Sequence, residues 1–270
     1  MADLRAIPKV DRLAGDVSGH PEAVRIEAAR QAIAEMRTAL LQGKEAPDAS
    51  FRAQAIADAM ALPSLRSVIN MTGVVLHTGL GRARLHPEAA EAARRASGEH
   101  SALEFDLATG ERGDRQTHVG SLLASLTGAE AALVVNNAAG ATMLVLAALC
   151  AGDAVALSRG QMVEIGGSFR LPEIIESSGA RLIEVGCTNR TRISDYRAAL
   201  EKGASAILRC HPSNYRIVGF TSEPTRAELA ALAREHSALY LDDQGSGCLV
   251  DTATFGLPHQ ETLPEAIREG

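Results

Sequence analysis

The pattern of apolar and polar positions along the chain changes near residue 67. Before this point, apolar residues recur at helical spacing over 21–41 and 51–62, which predicts two amphipathic helices. After it, short apolar runs alternate with helical patterns. The apolar runs predict strands at residues 68–76, 131–135, 154–158, 181–185, 206–210 and 239–242. The helical patterns predict helices at residues 87–96, 117–126, 138–150, 172–177, 194–201 and 224–236.

The order of these elements predicts an α/β fold. Strands separated by single helices form βαβ units, and such units build a largely parallel sheet flanked by helices. The sequence therefore predicts a small helical N-terminal domain at residues 1–66 and an α/β domain at residues 67–270. Ser194 is the predicted N-cap of one of the later helices. In such sheets, ligands bind beyond the carboxyl ends of the strands.

Composition narrows the class of protein further. The chain has 270 residues, a formal net charge of −6 and 46% hydrophobic residues, which excludes a disordered chain. Apolar runs stay well short of the ~20 residues of a membrane helix, and the first residues do not resemble a signal peptide. We therefore expect a cytoplasmic protein that does not bind a membrane. Aromatic residues make up 3%, which disfavours a stacking surface for single strands, and no DNA partner is expected.

The four cysteines do not form a close pair of the kind from which zinc sites are built. We therefore expect reduced thiols and no metal site. The nucleophile motif G-x-S-x-G is also absent from the sequence.

Two predicted strand ends carry candidate cofactor-binding residues. The strand at 131–135 leads into Asn136 and Asn137, and small residues beginning with Ala138 open the next helix. Free N–H groups at such a helix start bind phosphate, although plain N-capping explains the same residues equally well. Another strand ends at Asp243, whose carboxylate could hold a cationic ring nitrogen or a metal, or could simply shape an acidic turn.

A glycine-containing loop carries a candidate anion site. Gly79 and Gly81 superficially suggest a dinucleotide-binding loop, but the third glycine of that motif is missing, so NAD binding is disfavoured. The same loop contains His77 and Arg82, which could instead bind an anionic substrate.

Three further loops are rich in polar side chains. Arg112 and Arg115 flank a glycine and suit a phosphate-like anion, or they belong to a solvated charged loop. The loops at 158–172 and 211–221 follow strands and are denser in polar groups than a plain connection requires. His211 opens the second of these loops and is either a ligand-binding residue or a satisfied loop histidine.

Seven segments together closely resemble the bacterial L-seryl-tRNA(Sec) selenium transferase family, the selenocysteine synthases. They are INMTGVVLHTGLGRA (69–83), LEFDLATGERGDR (103–115), LTGAEAALVVNNAAG (126–140), SRGQMVEIGGSFRLP (158–172), VGCTNRT (185–191), HPSNYRIVGFT (211–221) and DDQGSG (242–247). The resemblance covers residues 67–270 almost continuously. The sequence departs from the family at three places. Gly79 stands where Asn is usual, and Gln244 stands where Leu is usual. Residues 136–140 are usually richer in Asn and Ala.

The resemblance implies the large domain of a fold-type-I enzyme that depends on pyridoxal 5'-phosphate (PLP). The family converts L-seryl-tRNA(Sec) to L-selenocysteinyl-tRNA(Sec) with selenophosphate, through a PLP aldimine and a dehydroalanyl intermediate. The resemblance also implies a homo-oligomer built from dimers. It assigns a tRNA-binding role to the helices of residues 1–66.

The resemblance further implies roles for individual residues. Asp243 matches the carboxylate that keeps the pyridine nitrogen of the cofactor protonated, and His211 lies near the ring hydroxyl. Arg82 and Arg115 match arginines that bind selenophosphate. The residues expected to cradle the cofactor phosphate are Asn136, Asn137 and Ala138.

The lysines do not fit this resemblance. Enzymes of this type hold PLP through a lysine that follows the ring-binding Asp, yet Lys9, Lys44 and Lys202 all precede Asp243. We therefore expect a chain truncated before its Schiff-base lysine, with the C-terminal small domain missing. Two alternatives remain open: a non-catalytic product that binds tRNA or docks onto oligomeric partners, and a related PLP-dependent lyase.

Overall fold

The structure is a computed structural model that describes residues 7–165 and 169–270, with only the backbone at Phe169. The chain divides into two compact units, Met1–Arg84 and Leu85–Gly270. Residues 1–6 of the predicted helical region and residues 166–168 of the polar loop at 158–172 lie outside the described residues.

The first unit is built on three helices, α1 (Val10–Asp16), α2 (Glu22–Leu41) and α3 (Ala49–Ala61). The two helices predicted from apolar periodicity correspond to α2 and α3. Alanine dominates the contact surfaces, so these helices can approach one another closely. The buried residues of this core are Leu13, Ala14, Val17, Ala28, Ala29, Ala32, Ile33, Ala53, Ile56 and Ala57. Asp48 caps α3, since its carboxylate accepts a hydrogen bond of 2.8 Å from the N–H of Phe51.

The second unit is built on a four-stranded parallel sheet. Its strands are β1 (Ala154–Ser158), β4 (Arg181–Val185), β5 (Ala204–Cys210) and β6 (Leu239–Asp243), in the spatial order β4–β1–β5–β6. A separate antiparallel pair consists of β2 (Glu164–Ile165) and β3 (Phe169–Arg170). These four parallel strands confirm the predictions for the same four segments.

Helices that pack against this sheet are α6 (Ala138–Leu149), α7 (Leu171–Ser177), α8 (Ile193–Glu201) and α9 (Arg226–Glu235). The second unit also contains α4 (Pro87–Gly98), α5 (Thr117–Thr127) and α10 (Leu263–Glu269). Short 3₁₀ helices span Thr78–Leu80 in the first unit and Arg159–Gln161 and Thr252–Phe255 in the second. The predicted α/β fold class is therefore confirmed.

The central strand β1 is buried on both faces, which is typical of a parallel sheet between helices. Because successive side chains of a strand point to opposite faces, β1 contributes to two separate cores. Val155 and Leu157 pack with residues of α6 and α7, whereas Ala154 and Ala156 pack with residues of α8 and α9.

Two predicted strands are wrong. Residues 68–76 fold into a local turn because the Asn70 amide donates to the carbonyl of Val74 at 2.9 Å and accepts from the N–H of Thr72 at 3.1 Å. Residues 131–135 have no strand partner among the described residues. Instead, the side-chain amide of Gln116 binds the N–H and the carbonyl of Val134, at 3.2 and 3.3 Å.

The predicted N-cap at Ser194 is also wrong. Helix α8 begins at Ile193, so Ser194 lies inside its first turn. The N–H of Arg192 donates to the carboxylate of Asp195 at 2.8 Å, and this contact ties down the start of the helix.

Candidate functional site

Asp243 lies at the carboxyl end of β6, at the edge where a parallel sheet binds its ligands. Its backbone carbonyl accepts a hydrogen bond of 2.9 Å from the N–H of His211, which directly follows β5. Its Oδ1 accepts a hydrogen bond of 2.8 Å from the N–H of Gly245. The structure thus brings the two predicted residues Asp243 and His211 together, as neighbours at the ends of adjacent strands.

His211 has a ring nitrogen without a partner. Its Nδ1 is buried and makes no hydrogen bond to any residue that the structure describes. A buried polar atom normally has a partner, because leaving it unpaired costs roughly 1–3 kcal/mol. This nitrogen is therefore available to a ligand at the same edge of the sheet.

The start of α6 forms a candidate phosphate cradle. Asn137 is the N-cap of this helix, and its Oδ1 accepts a hydrogen bond of 2.8 Å from the N–H of Gly140. Within the described part of the chain, the N–H groups of Ala138 and Ala139 find no acceptor. Such free N–H groups at a helix start bind anions. Asn136 lies just before the cap with an exposed side chain.

Thr142 joins this helix start to Asp243. Its Oγ1 lies 2.9 Å from the carbonyl oxygen of Ala138 and 3.2 Å from Oδ2 of Asp243. We did not predict this residue from the sequence. A signal was present, since Thr142 is the only polar side chain of α6.

An ion network that the sequence does not predict lies next to Asp243. Arg209 on β5 and Arg226 on α9 both bind Asp242, each at 3.0 Å, and both bind Glu261 as well, at 2.9 and 2.6 Å. Burial alone would lower the pKa of Arg209, but Asp242 and Glu261 raise it overall, so the guanidinium stays charged. Asp242 therefore has a structural role, while its neighbour Asp243 faces the candidate site.

Cys210 at the end of β5 is not a candidate nucleophile. Burial, together with the charges of Asp243 and Asp242, raises the pKa of its thiol to about 12. A thiol with such a pKa remains protonated at neutral pH and is a poor nucleophile.

Arg112 and Arg115 converge on one carboxylate. A bridge between Phe105 and Arg112 closes a hairpin. Arg112 Nη2 lies 2.7 Å from Glu104 Oε2, and Arg115 Nε lies 2.8 Å from Glu104 Oε1. The hydrogen bonds from Arg115 and then Arg112 hold the pKa of Glu104 below its ordinary value. The two arginines therefore carry one net positive charge together with Glu104.

Gln116 connects this hairpin to the phosphate cradle. Its side chain binds the backbone of Val134, which lies two residues before Asn136. These bonds tie the segment that follows Arg115 to the segment that precedes α6.

Arg82 belongs to the first unit. It has a φ of +59°, in the left-handed region that non-glycine residues seldom adopt. Its N–H donates to the carbonyl of His77 at 3.1 Å, and His77 Nδ1 accepts a hydrogen bond of 3.1 Å from the N–H of Gly79. The local cost of this backbone conformation is about 1–2 kcal/mol. Strain of this kind is often found at functional positions.

The polar loops at 158–172 and 211–221 largely bind each other and the sheet. Ser158 and Thr191 share a buried hydrogen bond of 2.7 Å, and Gln161 Oε1 accepts a hydrogen bond of 3.1 Å from the N–H of Cys210. The Tyr215 hydroxyl donates to the carbonyl of Gly160. Many of their polar groups thus have structural partners.

Two classes of site are missing from the residues that can be described. No group of three or more His, Cys, Asp or Glu side chains there could hold a metal ion. No helix in this part of the chain combines the length and apolar character needed to cross a membrane.

The family model of L-seryl-tRNA selenium transferase matches residues 68–270. The L-seryl-tRNA(Sec) selenium transferase of Carboxydothermus hydrogenoformans is 46% identical over 278 residues, covering 99% of this chain and 60% of that protein. The enzyme of the same name from Methylocella silvestris is 49% identical over 252 residues, covering 92% of this chain and 54% of that protein. The chain thus spans at most about 60% of the length of these relatives.

Among solved structures, D-glucosaminate-6-phosphate ammonia-lyase is similar with a TM-score of 0.50 and 19% identity, covering 71% of this chain and 58% of that chain. This likeness shows that the two proteins share a fold. Together with the match of the family model to residues 68–270, the sequence identity to these relatives shows that the chain belongs to the L-seryl-tRNA selenium transferase family.

Proposed function

We propose that this chain carries the cofactor- and substrate-binding residues of an enzyme that converts L-seryl-tRNA(Sec) to L-selenocysteinyl-tRNA(Sec) with selenophosphate. The observation that carries the proposal is the convergence of Asp243, His211 and the start of α6 at one edge of the sheet. These residues match the noncovalent contacts to PLP that the family resemblance implies, and 46% identity to a relative over 99% of the chain supports the same assignment.

The family and the fold imply PLP as the cofactor, and the residues present fit it. The free N–H groups of α6 offer a cradle for its phosphate, and the unpartnered Nδ1 of His211 offers a polar contact to the ring. Asp243 offers a carboxylate to the ring nitrogen. When bound, PLP supplies an electron sink for the negative charge that develops on the substrate carbon.

Each residue of the site then has one task. The start of α6, with Asn136, Asn137 and Ala138, would hold the phosphate through N–H groups and side-chain amides. Asp243 would keep a proton on the ring nitrogen, because an adjacent negative charge favours the protonated form. His211 would offer Nδ1 to the ring.

The family resemblance offers two candidate cationic groups for the anionic selenium donor, Arg82 in the first unit and Arg115 in the second, and we propose each of them separately. A guanidinium presents several N–H donors in one plane, which suits a tetrahedral oxyanion. At Arg115, such an anion would compete with Glu104 for the guanidinium. At Arg82, the left-handed backbone conformation supports a functional assignment.

The remaining partners rest on the family resemblance. We propose that the helices of residues 1–66 contact tRNA, that the protein forms homo-oligomers built from dimers, and that it acts in the cytoplasm. Covalent attachment of the cofactor does not involve Lys202. This residue precedes the amino end of β5, whereas His211 follows its carboxyl end, a separation of ~20 Å along the strand.

Removing the charge of Asp243 tests the cofactor assignment. We expect Asp243→Asn to weaken binding of PLP at least about tenfold, since a charge-assisted contact to the ring nitrogen contributes about 1.5–3 kcal/mol. Calorimetry with the purified chain measures this. The matched control is Asp251→Asn, which removes an acidic side chain that pairs with His259. Failure of the wild-type chain to bind PLP, or equal binding by Asp243→Asn, would contradict the assignment.

A further inference from the structure

Thr142 makes a contact that its helix does not explain. A threonine inside a helix commonly donates to the carbonyl four residues earlier, and Thr142 does so toward Ala138 at 2.9 Å. Its hydroxyl also lies 3.2 Å from Oδ2 of Asp243, a residue 101 positions later in the chain. The rest of α6 is entirely apolar, so this hydroxyl is the one side-chain polar group that the helix directs at the end of β6.

The contact completes the restraint on the Asp243 carboxylate. Oδ1 accepts a hydrogen bond from the N–H of Gly245 at 2.8 Å, and Oδ2 lies within reach of the Thr142 hydroxyl. The backbone carbonyl of Asp243 is held as well, by the N–H of His211. With both oxygens engaged, the plane of the carboxylate cannot turn freely about the side-chain bonds. Both partners are half-buried, so water competes only weakly for the contact.

The same hydroxyl touches the first turn of α6. Ala138 is the first residue of the helix and carries one of the free N–H groups of the anion cradle. The single hydroxyl proton of Thr142 is shared between the carbonyl of Ala138 and Oδ2 of Asp243. Thr142 thereby links the turn that would hold an anion to the carboxylate that would hold a cation.

We propose that Thr142 is a positioning residue that holds Asp243 at a set distance and angle from the start of α6. The site then recognises a ligand that carries a phosphate ester and a protonated aromatic nitrogen at one fixed separation. This inference rests on the proposed function and deepens it. Such positioning lowers the entropic cost of binding only for a ligand that contacts both the start of α6 and the carboxylate of Asp243.

Two ligands test the phosphate cradle and the Asp243 carboxylate separately. The probe is 4-deoxypyridoxine 5'-phosphate, which has the ring nitrogen and the phosphate but lacks the aldehyde, so lysines do not react with it. Inorganic phosphate engages the cradle alone. Calorimetry gives the affinity of the full chain for each, and ultraviolet absorbance of the bound probe reports the protonation of its ring nitrogen.

We expect Thr142→Val, which keeps the shape but removes the hydroxyl, to weaken binding of the probe about tenfold and to leave phosphate affinity unchanged. The pH at which the bound ring loses its proton should fall, because a mobile carboxylate stabilises the charge less. Thr142→Ser should restore both values. If the valine variant folds poorly, Thr142→Ala replaces it in the same measurements, because alanine is a better helix former.

The control is Thr127→Val. Thr127 makes the same kind of bond, to the carbonyl of Leu123 at 2.7 Å, but its hydroxyl binds no carboxylate among the described residues. Equal probe affinity in Thr142→Val and the wild-type chain would overturn the positioning role of Thr142 and leave the proposed function intact. A parallel loss for probe and phosphate, or failure of Thr142→Ser to restore binding, overturns the positioning role too, since damage to the helix would then explain the loss. A wild-type chain that does not bind the probe overturns the proposed function itself.

Discussion

Single residues decide how the loops beyond the parallel strands are held. Gly186 follows β4 with a φ of +66°, and Thr191 packs directly against it. The hydroxyl of Thr191 in turn shares a buried hydrogen bond with Ser158 at the end of β1. A side chain at position 186 has no space, so this close approach requires glycine for both its backbone conformation and its size.

We expect Gly186→Ala to destabilise the second unit by about 3 kcal/mol or more. Its Cβ would lie 2.9 Å from the Cα of Thr191, so the backbone must move as well as adopt a strained conformation. Gly152→Ala is the matched control, because Gly152 has a φ of +86° but open space around it. That variant should lower the free energy of unfolding by about 1 kcal/mol. Urea unfolding followed by circular dichroism gives both values, and equal costs would contradict the packing argument.

Between elements, the ion network formed by Arg209, Arg226, Asp242 and Glu261 joins four parts of the second unit. It connects β5, β6 and α9 to the segment that precedes α10. Arg226 also binds Glu269 on α10, at 2.8 Å. Because the side chain of Arg226 is only 4% exposed, each carboxylate that pairs with it offsets part of the cost of burying its charge.

Glu261 makes this network sensitive to acid. Burial alone would raise the pKa of Glu261, but Arg209 and Arg226 lower it overall below its ordinary value. The folded chain therefore takes up this proton at lower pH than the unfolded chain does. The stabilisation is fully present above the ordinary pKa of glutamate and is lost as the pH falls through the lowered value.

We expect Glu261→Gln to cost about 1–2 kcal/mol of the free energy of unfolding at neutral pH. This is less than for a fully buried pair, because Glu261 is 37% exposed and Arg226 keeps two other partners. Near pH ~4 the difference from the wild-type chain should shrink. Urea unfolding at both pH values measures it, with Glu235→Gln, an exposed partner of Arg197, as a control that should change little. A difference independent of pH would contradict the role of Glu261.

Over the second unit as a whole, apolar side chains stay exposed along α5, residues 131–135 and α6. They are Val119, Leu122, Leu126, Leu133, Val134, Met143, Leu144, Val145 and Leu149. In addition, β6 stands at the edge of the four-stranded sheet. An exposed apolar surface of this extent is typical of an interface, and an open sheet edge also favours association.

We expect the purified chain to self-associate through this surface, consistent with the proposed homo-oligomer. Leu133→Lys should weaken the association at least about tenfold, because burying an unpaired ammonium group opposes contact. Leu133 is 60% exposed, so stability should change little. Leu41→Lys is the control, since Leu41 is 66% exposed but lies on α2 in the first unit. Sedimentation velocity gives the association state, and identical behaviour of both variants would contradict the assignment of the surface.

The sequence by itself determined the parallel strands β1, β4, β5 and β6 and the helices between them. Each is encoded locally, by a short apolar run or a helical period bounded by turn residues. It also placed Asp243 and His211 at strand ends, because the end of an apolar run can be read from the chain.

Tertiary structure alone decided which of these residues meet. The bond from Thr142 to Asp243 joins residues 101 positions apart, and the bond from Arg209 to Glu261 joins residues 52 apart. No local pattern encodes such pairs. The failed strand at 131–135 has the same cause, since a strand needs a hydrogen-bonding partner from elsewhere in the chain. Local propensity specifies what a segment can become, whereas its partners in space determine whether it does so.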